Sequence, residues 1–241
     1  MDRFLQSSTL SAAKSEYTDV KWIMVCADPT LCRRRHRCQL TRLCHPPPAG
    51  PGTKFLGAAE LACPEDLIIV LDDDADYAPN VADQLISHSI SHKSSAWGLI
   101  GLDFDQHIAK GPEALMKGHG LEHDFLFGVG GIILKAGWVQ QFKMEYLELV
   151  QMVPEGFLHD DLMLSNLLAK QGVARRLLKT QTCSCKFSIR HHEYGKDQET
   201  ALHAVSAGGT VAKTFRVLRA LAAVDKYYFR CSIPQECAFA A

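Results

Sequence analysis

The sequence predicts an α/β fold, and three observations carry that prediction. Short apolar runs such as Leu67-Ile68-Ile69-Val70-Leu71 alternate with segments whose apolar residues recur at helical spacing. Gly- and Pro-marked turns separate the two kinds of segment. At 241 residues and 47% hydrophobic content, the chain can bury a sizeable core without disulfides.

Taken in order, Trp22 to Ala27 reads as a strand. From Arg33 to Gly52 the composition shifts to a basic run, Arg33-Arg34-Arg35-His36-Arg37, and a breaker, Pro46-Pro47-Pro48-Ala49-Gly50-Pro51-Gly52, which predicts an exposed loop or arm. Residues 1–49 are therefore expected to be an irregular segment with one strand, and 50–241 the folded domain. Thr53 caps a short helix, Lys54 to Leu61, in which Phe55, Ala58, Ala59 and Ala62 share a face. Leu67 to Leu71 suits a buried parallel strand whose carboxyl end opens onto a site. Asn80 caps a helix from Val81 to about Ser91.

Ala96 to Phe104 reads as a further strand, followed by a Gly/His-rich loop, Asp105 to Glu122, long enough to act as a lid. Phe125-Leu126-Phe127 and Ile132-Ile133-Leu134 are strands broken by Gly128-Val129-Gly130-Gly131. Gly137 to Met152 is helical, and Asp160 to Gln171 forms a second helix stopped by Gly172. Strand character returns at Ala174 to Lys179 and Cys185 to Arg190. A last helix carries Val211, Phe215, Leu218 and Ala222 on one face.

The totals exclude some functions. Lys+Arg 26 against Asp+Glu 27 gives a net charge of -1, so bulk charge does not point to nucleic acid. Every apolar run is far below the roughly 18 residues of a membrane span. Met1-Asp2-Arg3-Phe4 opens no extended apolar region of the secretory type. The expected compartment is the cytoplasm by default, with the secretory pathway open if an anchor lies upstream. Nine cysteines, with Cys26, Cys32, Cys38 and Cys44 six residues apart, match neither a Cys-x-x-Cys pair nor a zinc spacing, and read mostly as reduced thiols.

Four groupings carry chemistry. Asp72-Asp73-Asp74 ends an apolar strand, where three adjacent carboxylates repel one another and suit a hard or borderline cation such as Mg²⁺ or Mn²⁺ that bridges phosphate oxygens. The alternative is a polar turn that only ends the strand. His159-Asp160-Asp161 opens a helix. Carboxylates are electrostatically favoured there, and one on so rigid a mount can also serve as a general base. Gly128-Val129-Gly130-Gly131 lets backbone approach a ligand closely, or makes a tight hairpin. Arg190-His191-His192-Glu193-Tyr194 sets two imidazoles beyond a strand, either at the surface or at a metal.

These residues arrive in an order that resembles glycosyltransferase family 2-like proteins with a glycosyltransferase-A fold. The likeness runs through Gly50-Pro51-Gly52-Thr53-Lys54, Leu71-Asp72-Asp73-Asp74-Ala75-Asp76-Tyr77, Gly130-Gly131 and Asp160-Asp161-Leu162-Met163-Leu164-Ser165-Asn166, most of residues 50 to 195. It implies a Rossmann-like mixed, mainly parallel sheet flanked by helices, and the chain departs from the family in an N-terminal part that reads as shortened. The resemblance implies that Asp72 and Asp73 contact the ribose, Thr53 and Lys54 meet the nucleotide, and Asp74 with His191 or His192 holds Mn²⁺ or Mg²⁺. It further implies that Asp161 is the base with Asp160 beside it, and that Gly130 and Gly131 shape the acceptor side. The implied partners are a nucleotide-sugar donor, taken as a UDP-sugar, and a glycan or other hydroxyl acceptor. The implied chemistry is inverting displacement. Two alternatives compete: an inactive transferase-like binding domain, and a haloacid-dehalogenase-type phosphohydrolase, which also uses an Asp-x-Asp strand end and a later Asp pair.

Overall fold

The computed structural model describes residues 23–26, 41–44, 52–71, 75–76, 81–104, 116–117, 122–128, 131–178, 188–189 and 209–231. Along the chain these form β1 (Ile23–Cys26), β2 (Thr41–Cys44), α1 (Thr53–Glu60), β3 (Leu67–Val70), β4 (Ala75–Asp76), α2 (Val81–Ser91), β5 (Ser95–Gly98) and β6 (Ile100–Leu102). There follow β7 (Met116–Lys117), β8 (Phe125–Leu126), β9 (Ile132–Lys135), α3 (Ala136–Met152), a 3₁₀ turn (Pro154–Gly156), α4 (Asp160–Lys170), β10 (Ala174–Leu177), β11 (Ser188–Ile189) and α5 (Gly209–Ala223).

The main sheet has the order β10-β5-β9-β3. The period of two along its strands explains the unbroken apolar runs of the sequence. Ile132 and Leu134 of β9 face one core, formed with Phe55 and Leu56 of α1, Phe142 and Tyr146 of α3, Leu164 and Leu167 of α4 and Leu218 of α5. Ile133, between them, faces the other core, with Val81 and Leu85 of α2 and Trp97 of β5. Ile68 and Val70 of β3 join the first core while Leu67, Ile69 and Leu71 line the second. A sheet covered on both faces needs no polar alternation.

One expectation is corrected. The sheet is mixed and flanked by helices, but its pairings are mostly antiparallel, not mainly parallel. Only β10 and β5 pair in parallel within it, whereas β9 runs against both β5 and β3. The cause is local: β8 runs against β6, and past Gly128 the chain keeps that direction, so that β9 runs against β5 and lies between β5 and β3. Because β9 opposes both, β3, β5 and β10 still run in one direction, and their carboxyl ends share an edge with the start of β9.

Two further differences concern single elements. The stretch read as one strand from Ala96 to Phe104 is two strands in different sheets, β5 in the main sheet and β6 paired to β7 and β8. Glycine permits this: a Cβ on Gly101 would sit 2.9 Å from the Phe125 carbonyl oxygen. Within the basic, proline-rich stretch expected to be a loop, Thr41–Cys44 is a strand, parallel to β1 from Ile23↔Thr41 to Cys26↔Cys44, and α1 lies against β1.

The helices end as their residues dictate. Gly172, at φ +70°, follows α4, with its N–H bonded to the Ala169 carbonyl and that of Val173 to Leu168, which closes the helix in a Schellman motif. Gln140 of α3 donates to the carbonyls of Ala59 (2.8 Å) and Ala62 (2.7 Å), capping the end of α1. Phe55 meets the Tyr146 ring edge to face at 5.3 Å, so α1 and α3 are fixed side by side. Among the described residues no helix is long and apolar enough to cross a membrane.

Candidate functional site

Three segments far apart in sequence meet where α1 and α4 begin. Lys54, the second residue of α1, places its Nζ 3.0 Å from Asp160 Oδ2 and 3.6 Å from Asp161 Oδ1. Asp161 Oδ2 accepts a hydrogen bond from the Gly128 amide at 2.8 Å. Gly128 has no room for a side chain, because a Cβ there would lie 2.8 Å from both Asp161 Oδ1 and Lys54 Nζ. The pair of carboxylates stands in the first turn of α4, where the helix dipole and unpaired amides favour negative charge.

The supports of this cluster are rigid. His159, preceding α4, is buried and shares a 2.9 Å hydrogen bond between its Nε2 and Thr214 Oγ1 of α5. Ser165, one turn along α4, accepts the Leu126 amide at 3.2 Å, which ties α4 to β8 and so to Gly128. Gly131 closes the intervening turn at φ +86°, a conformation that requires glycine, with its amide 2.7 Å from the Gly128 carbonyl. The flanking strands β8 and β9 do not pair with each other. The glycine turn instead carries the chain from one sheet to the other, which decides against the simple hairpin reading.

Tyr146 of α3 stands behind the cluster and was not singled out from the sequence. Its ring is fully buried, and its Oη lies against Gly52, just before α1, where any Cβ would overlap it. Burial raises its phenol well above the ordinary value. The Asp160 and Asp161 carboxylates push the same way, with Lys54 opposing. On a helix face that reads as core packing, only the hydroxyl distinguishes it, and sequence spacing gives that atom no address.

Of the residues expected at the site, Lys54, Asp160 and Asp161 are in contact, and Gly131 lies in the turn that presents Gly128. Thr53 is the first residue of α1. Asp72, Asp73, Asp74, Gly130, His191 and His192 lie outside the described residues. Their described neighbours can be placed. Val70, two residues before Asp72, pairs with Ile132, next to Gly131. Ala75, directly after Asp74, pairs with Ile189, two residues before His191. Among the described residues no three His, Cys, Asp or Glu side chains are grouped to hold a metal ion.

A second polar cluster, also missed in the sequence, sits toward the opposite, N-terminal end of β10, around a cavity of 350 Å³ lined by Asp103, Glu122, His123, Asp124, Arg175, Arg230 and Cys231. His123 Nδ1 is 3.1 Å from Asp103 Oδ1, and Asp124 Oδ2 accepts the Phe104 amide at 2.7 Å. Buried Arg175 donates Nε to the Asp124 carbonyl at 2.7 Å, and the Cys231 thiol donates to Asp124 Oδ1 at 3.3 Å. Burial, with Asp103 nearby, raises the Asp124 carboxyl. Four chain segments are thereby joined, which gives the cluster a structural task.

Chemically, the first cluster offers a carboxylate at a helix start, an ammonium, and two adjoining helix N-termini, the equipment for taking a proton beside an anion. No protein-family model matches the sequence, and no curated protein matches it. A solved structure to which the chain is similar is a UTP-bound UGPase from Acinetobacter baumannii, at 15% identity and a TM-score of 0.40, over 65% of this chain and 57% of that one. The chain thus corresponds to little more than half of that chain's length.

Proposed function

We propose that the chain is a metal-dependent glycosyltransferase, moving a sugar from a nucleotide-sugar donor, a UDP-sugar, to a hydroxyl of a glycan or other acceptor with inversion. The observation that carries this is the meeting of Lys54 with Asp160 at 3.0 Å while Asp161 holds the Gly128 amide at 2.8 Å. Lys54, Gly128 and the helix-start Asp pair adjoin here, and the Gly-Pro-Gly-Thr-Lys motif that carries Lys54 has no role in a phosphohydrolase.

In this reading Asp161 takes the proton of the acceptor hydroxyl. The Gly128 amide fixes its Oδ2 at 2.8 Å, and the α4 N-terminus steadies its charge. Lys54 moves from the Asp pair to the donor's phosphates, where Thr53 and the first amides of α1 add neutral donors. Asp72 and Asp73 take the ribose, and Gly130 with Gly131 lets the acceptor approach the backbone closely. Asp74, with His191 or His192, would hold Mn²⁺ or Mg²⁺. The donor set of carboxylate and imidazole fits such an ion, and the pairing of Ala75 with Ile189 brings the flanks of both motifs onto neighbouring strands. When bound, the ion supplies charge neutralisation to the departing diphosphate.

The test is a screen of nucleotide sugars with Mn²⁺ and Mg²⁺, followed through transfer and through donor hydrolysis, on the natural chain and on Asp161→Asn. Transfer by the natural chain and its loss in the variant, with UDP affinity kept, is the expected result. A normal rate in Asp161→Asn would sink the assignment of the base, and phosphate release without sugar transfer would sink the reaction class.

A further inference from the structure

The end of α2 carries two imidazoles four residues apart, His88 and His92. The His92 amide donates to the His88 carbonyl at 3.0 Å, so helical geometry runs on through His92. Side chains at that spacing lie on one face, with Cβ atoms about 5–6 Å apart. Both rings rest on the indole of Trp97 in β5, with centroids at 5.3 and 5.1 Å and the same inclination of 59°. Their hydrogen bonds are alike too. His88 Nδ1 is 2.9 Å from the Gln84 carbonyl oxygen, and His92 Nδ1 is 3.2 Å from that of His88. A carbonyl only accepts, so Nδ1 carries the proton in both rings, and each neutral imidazole keeps its lone pair on Nε2, the nitrogen turned away from those carbonyls. Among the described residues neither Nε2 makes a hydrogen bond. Metal-ligating histidines are held in this way, one ring nitrogen donating to a carbonyl while the other takes the ion.

We infer that His88 and His92 together hold a divalent cation of the Zn²⁺ and Cu²⁺ class through their two Nε2 atoms. Imidazole suits such ions, whereas Mg²⁺ prefers oxygen. Metal–nitrogen bonds of about 2.0–2.1 Å bring two neighbouring ligand atoms to about 3 Å. His92 is exposed and turns about its own side-chain bonds to meet the ion, while His88 stays half-buried against Trp97. The last turn of a helix favours positive charge, which adds to the attraction. Two protein ligands leave the remaining coordination positions to water or a small ligand. The pair is separate from the Lys54 cluster: α2 packs on the second core, across the main sheet from α1 and α4. The inference therefore does not depend on the function proposed above.

The probe is Cu²⁺–iminodiacetate, a chelate that fills part of the copper coordination sphere and leaves adjacent positions for two imidazoles. Copper bound by the pair lies beside Trp97 and quenches its fluorescence. Titration of the natural chain should give saturable quenching, and His88→Ala and His92→Ala should each lose it. Asp74→Ala should keep it, which separates this pair from the ion site proposed for the transferase. Quenching that is unchanged in either histidine variant overturns the inference, as does a natural chain with no saturable quenching. Thermal midpoints without copper show that each variant is folded, and His88→Gln replaces His88→Ala should that protein not fold. Zn²⁺ supplies a second readout, because an ion bound only by the folded chain stabilises it. The midpoint of the natural chain should rise further with Zn²⁺ than that of His92→Ala, and equal rises overturn the inference.

Discussion

Replacing Gly128 by alanine perturbs the site with a single methyl group. The added Cβ would stand 2.8 Å from Asp161 Oδ1 and from Lys54 Nζ, both tips of side chains that can yield. The fold should therefore survive, but the tips cannot yield without lengthening the 2.8 Å bond from the Gly128 amide to Asp161. A hydrogen bond to a charged group contributes about 1.5–3 kcal/mol. In a domain of this size that corresponds to a melting temperature lower by about 3–10 °C. Displacing a catalytic carboxylate by about 1 Å costs roughly 100-fold in turnover. Differential scanning calorimetry and a sugar-transfer assay on the same preparation measure both. Gly172→Ala is the control: at φ +70° with nothing within 4 Å of its would-be Cβ, it should cost about 1–2 kcal/mol of backbone strain and leave turnover intact. An unchanged melting temperature and turnover in Gly128→Ala would refute the geometry assigned to this contact.

Burial alone would raise the Asp103 carboxyl, but the His123 hydrogen bond and charge, with the Asp124 amide, hold it below its ordinary 3.8. The unfolded chain then takes up the proton first on acidification, so this stabilisation is present above about pH 4 and is lost as pH falls through the folded value. Asp103→Asn should flatten the fall of the urea midpoint between about pH 5 and pH 3; an unaltered slope would contradict this. Cys231, its thiol pushed up to about 11 by burial and then by Asp124, should be alkylated at pH 8 far more slowly than exposed Cys63, as read by peptide mass spectrometry. Leu134→Ala, at a fully buried β9 position, should cost about 2–5 kcal/mol in denaturant unfolding, and a loss under 1 kcal/mol would contradict its place in the core.

The elements most legible in the sequence are those whose signals are local. Gly172 stops a helix wherever it stands, so the expected end at Gln171 falls within one residue of the observed Lys170. Leu67 to Leu71 and Val81 to Ser91 were readable because length and period agree with burial on both faces of the sheet. What depends on pairing was not readable. Whether Ile132–Lys135 lies beside β3 in parallel or against it is set by its long-range pairing with β5, in the direction already taken by β8 against β6, and not by the composition of β9, which would suit either arrangement. The strand at Thr41–Cys44 is masked by basic and proline-rich neighbours and exists through its parallel partner β1. At the site, Asp160 and Asp161 could be named because charge at a helix start is visible in the chain, and Lys54 because the Gly-Pro-Gly-Thr-Lys motif resembles that of a known family. Gly128 could be named only as part of a glycine run, not as the amide donor to Asp161, and Tyr146 not at all, since it contributes a single oxygen on an apolar face.

The most direct measurement is a calorimetric titration of UDP into the folded protein with Mn²⁺, repeated on Lys54→Ala. Saturable, Mn²⁺-dependent binding that weakens at least about ten-fold in the variant, as loss of a charged phosphate contact requires, is the expected result. A folded natural chain that takes up no UDP, or a Lys54→Ala protein that binds it equally well, would contradict the assignment of this cluster to a nucleotide-sugar site.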